Sequence, residues 1–249
     1  MNEQKFSGKS AAYAKARPGY PPALFEHLRE RGVLTAGTVA ADIGSGTGKF
    51  TRSLAEFAEK VYAVEPNADM RRAAEANFAD CGNIISIDGN AERTTLPGGS
   101  VGLVTAAQAF HWFDRAAFKA ECRRILGGDG FVCLVWNDRD ASSGIIADNY
   151  AVNREFCPDF KGASNGFDFA DGTFDGFFDG GFEKTEFKND LTYDLDGFIA
   201  RNLSSSYAPK AADPRCAAYC EALKKVFASH AENGLVKYPY VTACFLGRA

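Results

Sequence analysis

The stretch TVAADIGSGTG occupies residues 38–48 and joins a short apolar run to a loop in which every second residue is glycine. Residues 38–43 predict a buried strand, because a continuous apolar run that ends in glycines is typical of parallel sheets. Residues 49–60 carry apolar side chains at helical spacing and predict a helix. Glycines between a strand and a helix allow a tight turn and a close approach of a ligand to the backbone. The sequence therefore predicts a ligand-binding turn at the amino end of a helix, where free N–H groups and the helix dipole meet the ligand.

Alternating strand and helix patterns continue on both sides of this loop. Short alternations of this kind give parallel strands with right-handed crossovers. We therefore predict an α/β fold: a Rossmann-like, seven-stranded, mostly parallel sheet with helices on both faces, an N-terminal helical cap and an insertion after the fifth strand. The predicted strands are 38–43, 61–64, 84–87, 102–107, 131–136, 183–193 and 241–246. The predicted helices are 49–60, 68–79, 115–126, 145–156 and 214–230.

The composition of the chain indicates one domain over residues 1–249. Residues 1–36 are predicted to form the N-terminal cap, and residues 37–137 the cofactor-binding core. Residues 138–249 would form the insertion on the substrate side and the C-terminal strands. The first part of this tail, 138–181, is rich in Gly, Asp, Asn and Phe and predicts long loops.

Charge and cysteine usage restrict the possible partners. The net charge of −4 argues against broad contact with nucleic acid, which needs a basic face. The seven cysteines are scattered and form no CxxC pair, so we predict no metal site and reduced thiols in a cytoplasmic protein. No leader-like apolar stretch begins the chain and none approaches the roughly 18 apolar residues of a membrane span. We expect a monomer or homodimer that contacts neither nucleic acid nor membrane.

Two acidic residues beside the glycine loop indicate what it binds. Glu65 ends the second predicted strand, about 17 residues after Gly48, where a carboxylate can accept hydrogen bonds from both hydroxyls of a ribose. A dinucleotide motif G-x-G-x-x-G that begins at Gly44 would need a glycine at its sixth position, where this chain has Lys49. Asp42 would repel a pyrophosphate and attract an ammonium group. Its alternative role is to accept hydrogen bonds from loop N–H groups.

Five motifs together resemble a known family. They are DIGSGTG at 42–48, VEPN at 64–67, GNAE at 89–92 with Leu96-Pro97, YAKARPGYP at 13–21 and QAFHWF at 108–113. These residues resemble the class I S-adenosylmethionine-dependent methyltransferases. More narrowly, they resemble the small-molecule methyltransferases of the type 11 group, which include trans-aconitate methyltransferase-like proteins. The resemblance is strong over roughly residues 10–137 and loose in the tail.

The resemblance implies S-adenosylmethionine as cofactor and a role for each matching residue. The glycines would line the methionine part of the donor, Glu65 would bind its ribose, and Asn90 to Glu92 would lie at the adenine edge. Arg17 would pair with the donor carboxylate, or be a surface charge. Met70 would stack on adenine, or belong to the helix core. The implied cofactor-binding residues are Tyr13, Arg17, Asp42, Gly44, Ser45, Gly46, Thr47, Gly48, Glu65, Pro66, Met70, Asn90, Ala91, Glu92 and Gln108.

Three residues are candidates for the acceptor side. His111 follows the fourth predicted strand, and sheets of this type bind ligands at the carboxyl ends of their strands. It would contact the acceptor or act as a base, with a structural histidine in an aromatic cluster as the alternative. Trp112 would form a wall of the acceptor pocket or simply pack in the core. Tyr207 would reach the pocket from the tail, or belong to a polar loop.

The expected function is in-line methyl transfer from S-adenosylmethionine to a small molecule, at oxygen. Such a displacement needs mainly a well-placed acceptor and exclusion of water. A general base is needed only when the attacking atom carries a proton, so nitrogen and carbon acceptors stay open. The alternatives are a dinucleotide-binding oxidoreductase and a catalytically silent protein that binds S-adenosylmethionine.

Overall fold

The computed structural model describes residues 18–162 and 172–249. The predicted site residues Tyr13 and Arg17 lie outside the described residues. Helices in the described part are α1 (Pro22–Glu30), α2 (Lys49–Ala55), α3 (Ala68–Asn77), α4 (Arg115–Ile125), α5 (Gly144–Phe156), α6 (Leu195–Leu203) and α7 (Cys216–His230). Strands are β1 (Val39–Ile43), β2 (Lys60–Val64), β3 (Ile84–Ile87), β4 (Val101–Ala107), β5 (Leu126–Arg139), β6 (Asp179–Lys188), β7 (Leu191–Tyr193), β8 (Val236–Tyr238) and β9 (Tyr240–Arg248). A short 3₁₀ turn covers Phe110–Trp112.

Seven of these strands form one sheet in the order β3-β2-β1-β4-β5-β9-β6. The strands β1 to β5 pair in parallel, whereas β9 runs antiparallel to both of its neighbours, β5 and β6. The predicted Rossmann-like, seven-stranded and mostly parallel sheet is confirmed. Because β9 is reversed, its first residue, Tyr240, lies at the same edge of the sheet as the last residue of β5, Arg139.

The sheet is buried on both faces because consecutive strand residues point to opposite sides. Ala40 packs with side chains of α1 and α2, whereas Ala41 packs with side chains of α4. In β4, Leu103 belongs to the same hydrophobic cluster as Ala40, and Val104 belongs to the cluster of Ala41 on the other face. This double coverage explains why the central strands are continuous apolar runs rather than alternating ones.

A third hydrophobic cluster lies beyond the carboxyl end of β5. It joins α5, α6 and α7 to the two-stranded sheet β7-β8 and to Tyr240 at the start of β9. The predicted insertion after the fifth strand therefore contains packed helices, of which α6 is absent from the sequence prediction. No helix in the described part of the chain is long and apolar enough to cross a membrane.

Several predicted boundaries were wrong. Residues 183–193 were expected to form one strand, but they divide between β6 and β7, which belong to different sheets. The chain leaves the large sheet at Asn189, whose N–H donates to the Tyr240 carbonyl at 2.9 Å. The helix α2 ends at Ala55 rather than at residue 60, and β5 begins at Leu126, before the glycines expected to precede it. The short strand β8 was also not predicted, whereas α1 lies within residues 1–36, where a helical cap was expected.

Candidate functional site

A cleft of about 380 Å³ lies at the carboxyl edge of the parallel strands. Residues that follow β1, β2, β3 and β4 line it, as expected for a sheet in which the strand order reverses on either side of β1. The predicted site residues on its wall are Asp42, Gly44, Ser45, Gly46, Thr47, Glu65, Pro66, Met70, Asn90, Ala91, Glu92, Gln108 and Trp112. The fold thus brings together residues that are far apart in sequence, and their binding roles stay predictions.

The glycine loop is fastened to the end of β2 by its own backbone. The N–H groups of Gly44 and Ser45 both donate to the Val64 carbonyl, at 2.8 and 3.1 Å. The N–H of Gly46 donates to the Glu65 Oε2 atom at 2.9 Å. These three donors are used inside the protein, so the loop does not offer them to a phosphate chain.

Glu65 connects the glycine loop to the segment that begins α3. Its Oε1 atom accepts a hydrogen bond from the Asn67 N–H at 2.9 Å, in addition to the bond between Oε2 and Gly46. A carboxylate has about four acceptor sites, so it can accept several hydrogen bonds at once, from ligand hydroxyls as well as from backbone N–H groups. The side chain is only 8% exposed and borders the cleft. It is therefore fixed in position before any ligand arrives.

Asp42 is a buried carboxylate at the floor of the cleft, held by two threonine hydroxyls. Thr51 donates to its Oδ2 atom at 2.6 Å and Thr105 donates to its Oδ1 atom at 2.9 Å. Burial raises the pKa of Asp42 to about 6, against the lowering effect of these two hydroxyls. The threonines, rather than loop N–H groups, are its partners in the described structure. A cation in the cleft would favour the ionised form.

The residues present fit a donor that combines a nucleoside with an amino acid. Asp42 supplies a negative charge for an ammonium group, and Glu65 supplies acceptors for two hydroxyls. The Ser45 hydroxyl oxygen is buried and has no hydrogen-bond partner among the described residues, although Ser45 borders the cleft. A buried hydroxyl without a partner is costly, and a polar ligand group would satisfy it.

Gly48 does not lie on the wall of the cleft. It stands just before α2 with a φ of +76°, and a Cβ atom there would lie 2.8 Å from the Phe78 ring. The absence of a side chain at Gly48 therefore allows α2 and α3 to pack closely. The sequence pattern of three alternating glycines cannot separate a glycine that touches a ligand from one that touches a neighbouring helix.

His111 and Tyr207 also lie off the wall. The His111 ring packs against Trp112, with ring centroids 4.8 Å apart, and burial lowers the pKa of His111 to about 4. The ring is therefore neutral at pH 7. The Tyr207 hydroxyl accepts a hydrogen bond from Arg139 Nη2 at 3.3 Å, and Arg139 does border the cleft.

The remaining predicted residues are positioned by local hydrogen bonds. Gln108 has a φ of +58°, which is uncommon for a residue with a side chain, and its Nε2 donates to the Asn137 carbonyl at 2.9 Å. The Asn90 side chain accepts from the Arg93 N–H at 2.8 Å, and the Glu92 side chain accepts from the Asp114 N–H at 3.0 Å. Met70 is 4% exposed, so it is both part of the helix core and part of the cleft wall.

Several residues on the wall were missed by sequence reasoning. They are Pro18, Tyr20, Lys49, Phe50, Asn67, Ala107, Ala109, Phe113, Asn137, Arg139, Arg201 and Tyr240. Asn137 and Arg139 carried a usable signal, because polar residues directly after a buried strand lie at the ligand-binding edge. Arg201 and Tyr240 carried none, because they reach the cleft through α6 and the reversed strand β9.

The fold and the site together define a class of protein. A reversed strand inserted between β5 and the edge strand separates this sheet from the six-stranded parallel sheet of dinucleotide-binding domains. A glycine turn flanked by two acids replaces the phosphate-binding turn of those domains. This is the architecture of the class I S-adenosylmethionine-dependent methyltransferases.

Comparison with known proteins agrees with that class. Residues 41–134 match the family described as the methyltransferase domain. A solved structure from Anaeromyxobacter dehalogenans, assigned as a type II methyltransferase, is 27% identical with a TM-score of 0.73. The match covers 93% of this chain and 97% of that one. A further solved structure from Bacillus halodurans, at 18% identity and a TM-score of 0.55, shares the fold.

Curated relatives match a smaller part of the chain. An uncharacterized methyltransferase of Mycobacterium tuberculosis is 36% identical over 141 residues, which are 57% of this chain and 55% of the relative. An uncharacterized methyltransferase-like protein of Schizosaccharomyces pombe is 33% identical over 136 residues, 54% of this chain and 52% of the relative. The chain thus spans about half the length of the curated relatives it matches. The narrower resemblance to trans-aconitate methyltransferases stays a prediction.

Proposed function

We propose that this protein transfers a methyl group from S-adenosylmethionine to an oxygen atom of a small molecule. The observation that carries the proposal is the pair of acids, Asp42 and Glu65, on the wall of the cleft at the two sides of the glycine turn. Two carboxylates suit a donor that carries an ammonium group, a sulfonium and a ribose, because each of these groups is a cation or a hydrogen-bond donor.

The residues of this chain contribute position and polarity to such a reaction. S-adenosylmethionine supplies a methyl carbon already activated by positively charged sulfur. Gly44 and Gly46 leave room on the cleft wall, while Trp112 and Phe113 supply apolar surface that limits water. In-line transfer then requires the acceptor oxygen to lie opposite the sulfur, so orientation carries much of the rate enhancement.

The two alternatives are less well supported. A dinucleotide-binding oxidoreductase would need loop N–H groups for a pyrophosphate, but those of Gly44, Ser45 and Gly46 already bond inside the protein. A catalytically silent binding protein would be expected to have a blocked acceptor side. Here the cleft continues past Gln108 to Asn137 and Arg139, which leaves space beside the proposed donor site.

Replacing Glu65 tests the donor site directly. We expect Glu65→Ala to weaken the binding of S-adenosylmethionine by about 1–3 kcal/mol, roughly 5- to 150-fold in Kd, because buried charge-assisted hydrogen bonds are lost. Isothermal titration calorimetry measures the change. Glu65→Gln is the matched control, since it keeps the side-chain length and one acceptor oxygen while removing the charge, and it should lose less affinity. Unchanged affinity in both variants, at unchanged melting temperature, would contradict the assignment.

Replacing His111 separates the donor site from the acceptor side. Because His111 lies off the wall, we expect His111→Ala to keep donor affinity within about twofold while turnover of an identified acceptor changes through the displaced Trp112. Calorimetry with the donor and a methyl-transfer assay give the two readouts. A loss of donor binding without a loss of stability would instead place His111 among the donor contacts.

Location and oligomeric state complete the proposal. A cytoplasmic location is supported by the free thiols of the cysteines, including the buried pair Cys133 and Cys244, whose sulfur atoms are 3.4 Å apart. Monomer and homodimer stay open predictions, and size-exclusion chromatography with light scattering distinguishes them.

A further inference from the structure

Two buried arginines border the far end of the cleft. Arg139 ends β5 and is 9% exposed, and Arg201 lies in α6 and is 1% exposed. Both belong to the cleft wall, together with Tyr240 at the start of β9. Arginine is among the residues that are almost never fully buried unless they are paired. Two of them beside one cavity therefore require an explanation.

Neutral groups hold the two guanidinium groups in place. Arg201 donates from Nε to the Tyr240 hydroxyl at 2.6 Å and from Nη1 to the Ser205 hydroxyl at 3.2 Å, and neither bond uses Nη2. Arg139 donates from Nη2 to the Tyr207 hydroxyl at 3.3 Å, and it lies over the Tyr150 ring at 5.6 Å from the centroid. Burial raises the pKa of Tyr150, so that this phenol stays neutral.

Neither guanidinium group is paired with a carboxylate in the part of the chain that the structure describes. Among residues 18–162 and 172–249, no carboxylate forms an ion pair with either arginine. Asp138 is adjacent in sequence, but its Oδ1 accepts from the Arg139 backbone N–H rather than from the guanidinium. The Nε and Nη1 atoms of Arg139 are buried without any hydrogen-bond partner in the described structure. An uncompensated buried charge with unused donors is unfavourable unless a ligand supplies the anion.

The order of the strands places this basic end beside the proposed donor site. Asp42 belongs to β1, Glu65 directly follows β2, Gln108 follows β4, and Arg139 ends β5. Two strand spacings separate β1 from β5, which is about 10 Å. The cleft is thus acidic where the donor is proposed to bind. It is basic further along the same edge, at a distance comparable to the length of a small molecule. Both arginines lie outside the residues of the methyltransferase-domain match, 41–134.

We propose that the methyl acceptor is an anion, and that Arg139 and Arg201 bind its carboxylate or phosphate group. The inference rests on the proposed function and names the class of substrate for the same cleft. A guanidinium group suits either anion because its planar fork donates two parallel hydrogen bonds. Tyr207, Tyr240 and Ser205 are positioning residues, since they orient the two forks while adding no charge. The anion would bring negative charge to both cations and would offer acceptors to the unused donors of Arg139.

The test measures binding of simple anions to the full chain by calorimetry and thermal unfolding. Succinate and inorganic phosphate are the two probes, and succinamide is the neutral control with the length of succinate. We expect at least one anion to bind the wild-type protein and raise its melting temperature, with no effect of succinamide. A preference for succinate indicates a carboxylate acceptor, and a preference for phosphate indicates a phosphate ester. No binding of either anion overturns the inference.

Substitution of each arginine locates the binding. Arg139→Gln and Arg201→Gln should each weaken anion binding about tenfold or more, whereas Arg154→Gln, which removes an exposed charge from α5, should not. Arg139→Gln should also keep or raise the melting temperature of the ligand-free protein, because a buried uncompensated charge is removed. A purely structural arginine would give the opposite result, a large loss of stability, and that outcome overturns the inference. If Arg201→Gln does not fold, anion binding and melting temperature of Arg139→Gln alone decide whether the inference holds.

A parallel titration with S-adenosylhomocysteine distinguishes this inference from the proposed function. Donor-site binding without anion binding would overturn the anionic acceptor and leave the methyltransferase proposal intact. Anion binding without any binding of S-adenosylhomocysteine would contradict the proposed donor, while the basic site would stand. The double variant of Arg139 and Arg201 should keep its affinity for S-adenosylhomocysteine, because the donor site lies at the other end of the cleft.

Discussion

Replacing Gly44 by alanine is expected to lower the free energy of unfolding by about 2–5 kcal/mol. The residue has a φ of +69°, a conformation that costs a residue with a side chain about 1–2 kcal/mol. An added Cβ atom would lie 2.7 Å from the Cβ atom of Ala109 and 3.2 Å from the Phe113 ring. Overpacking of this kind adds about 1–3 kcal/mol, since Ala109 has no flexible end that can move away. Urea-induced unfolding followed by circular dichroism measures the loss.

Gly46 offers a matched control for that experiment. Its φ of +58° carries a similar backbone penalty, but an added Cβ atom would have no neighbour within 4 Å. Gly46→Ala should therefore lose about 1–2 kcal/mol of stability, the backbone cost alone. Because Gly46 borders the cleft, the new methyl group should weaken donor binding more than it weakens the fold. Equal losses of stability in the two variants would mean that the contact of Gly44 with Ala109 is unimportant.

Asp42→Asn is expected to stabilise the ligand-free protein at pH 7 while it weakens donor binding. Burial raises the pKa of Asp42 from 3.8 to about 6, so the folded state holds this proton more tightly than the unfolded state does. The resulting stabilisation is fully present below about pH 4 and is lost as the pH rises through about 6. At pH 7 the ionised carboxylate then costs up to about 3 kcal/mol, which asparagine avoids. The gain should disappear at pH 4, where both side chains are neutral.

The affinity for S-adenosylmethionine should depend on pH in the opposite direction to stability, increasing as Asp42 becomes ionised. In the wild-type protein we expect the binding of S-adenosylmethionine to weaken as the pH falls from 7 to 5, because Asp42 takes up a proton and loses its attraction for the ammonium group. The Asp42→Asn variant should bind more weakly at pH 7 and show a flatter profile. His111 titrates only near pH 4, so it contributes little over this range. An identical pH profile in both proteins would show that Asp42 does not face the cation.

The parts of the site that were predicted from the sequence are those that local geometry specifies. A strand, a glycine turn and a helix in direct succession identified Asp42, and the end of the next strand identified Glu65. The family resemblance supplied Asn90, Ala91 and Gln108, which lie beside the other two because the carboxyl ends of parallel strands meet at the same edge. The pattern could not show that Gly48 lies against Phe78 or that His111 is not on the cleft wall, since both depend on which neighbours the tertiary fold supplies.

The sequence by itself determined the parallel core of the sheet, because its largely apolar strands alternate with helical patterns. It also determined the acidic half of the cleft, whose residues lie within two or three positions of a strand end. Only the tertiary structure decided the basic half. Arg201 comes from the short helix α6, which the sequence analysis missed, and Tyr240 lies on a strand that enters the sheet in reverse. Contacts between segments so distant along the chain depend on packing of the whole domain, which short-range patterns do not encode.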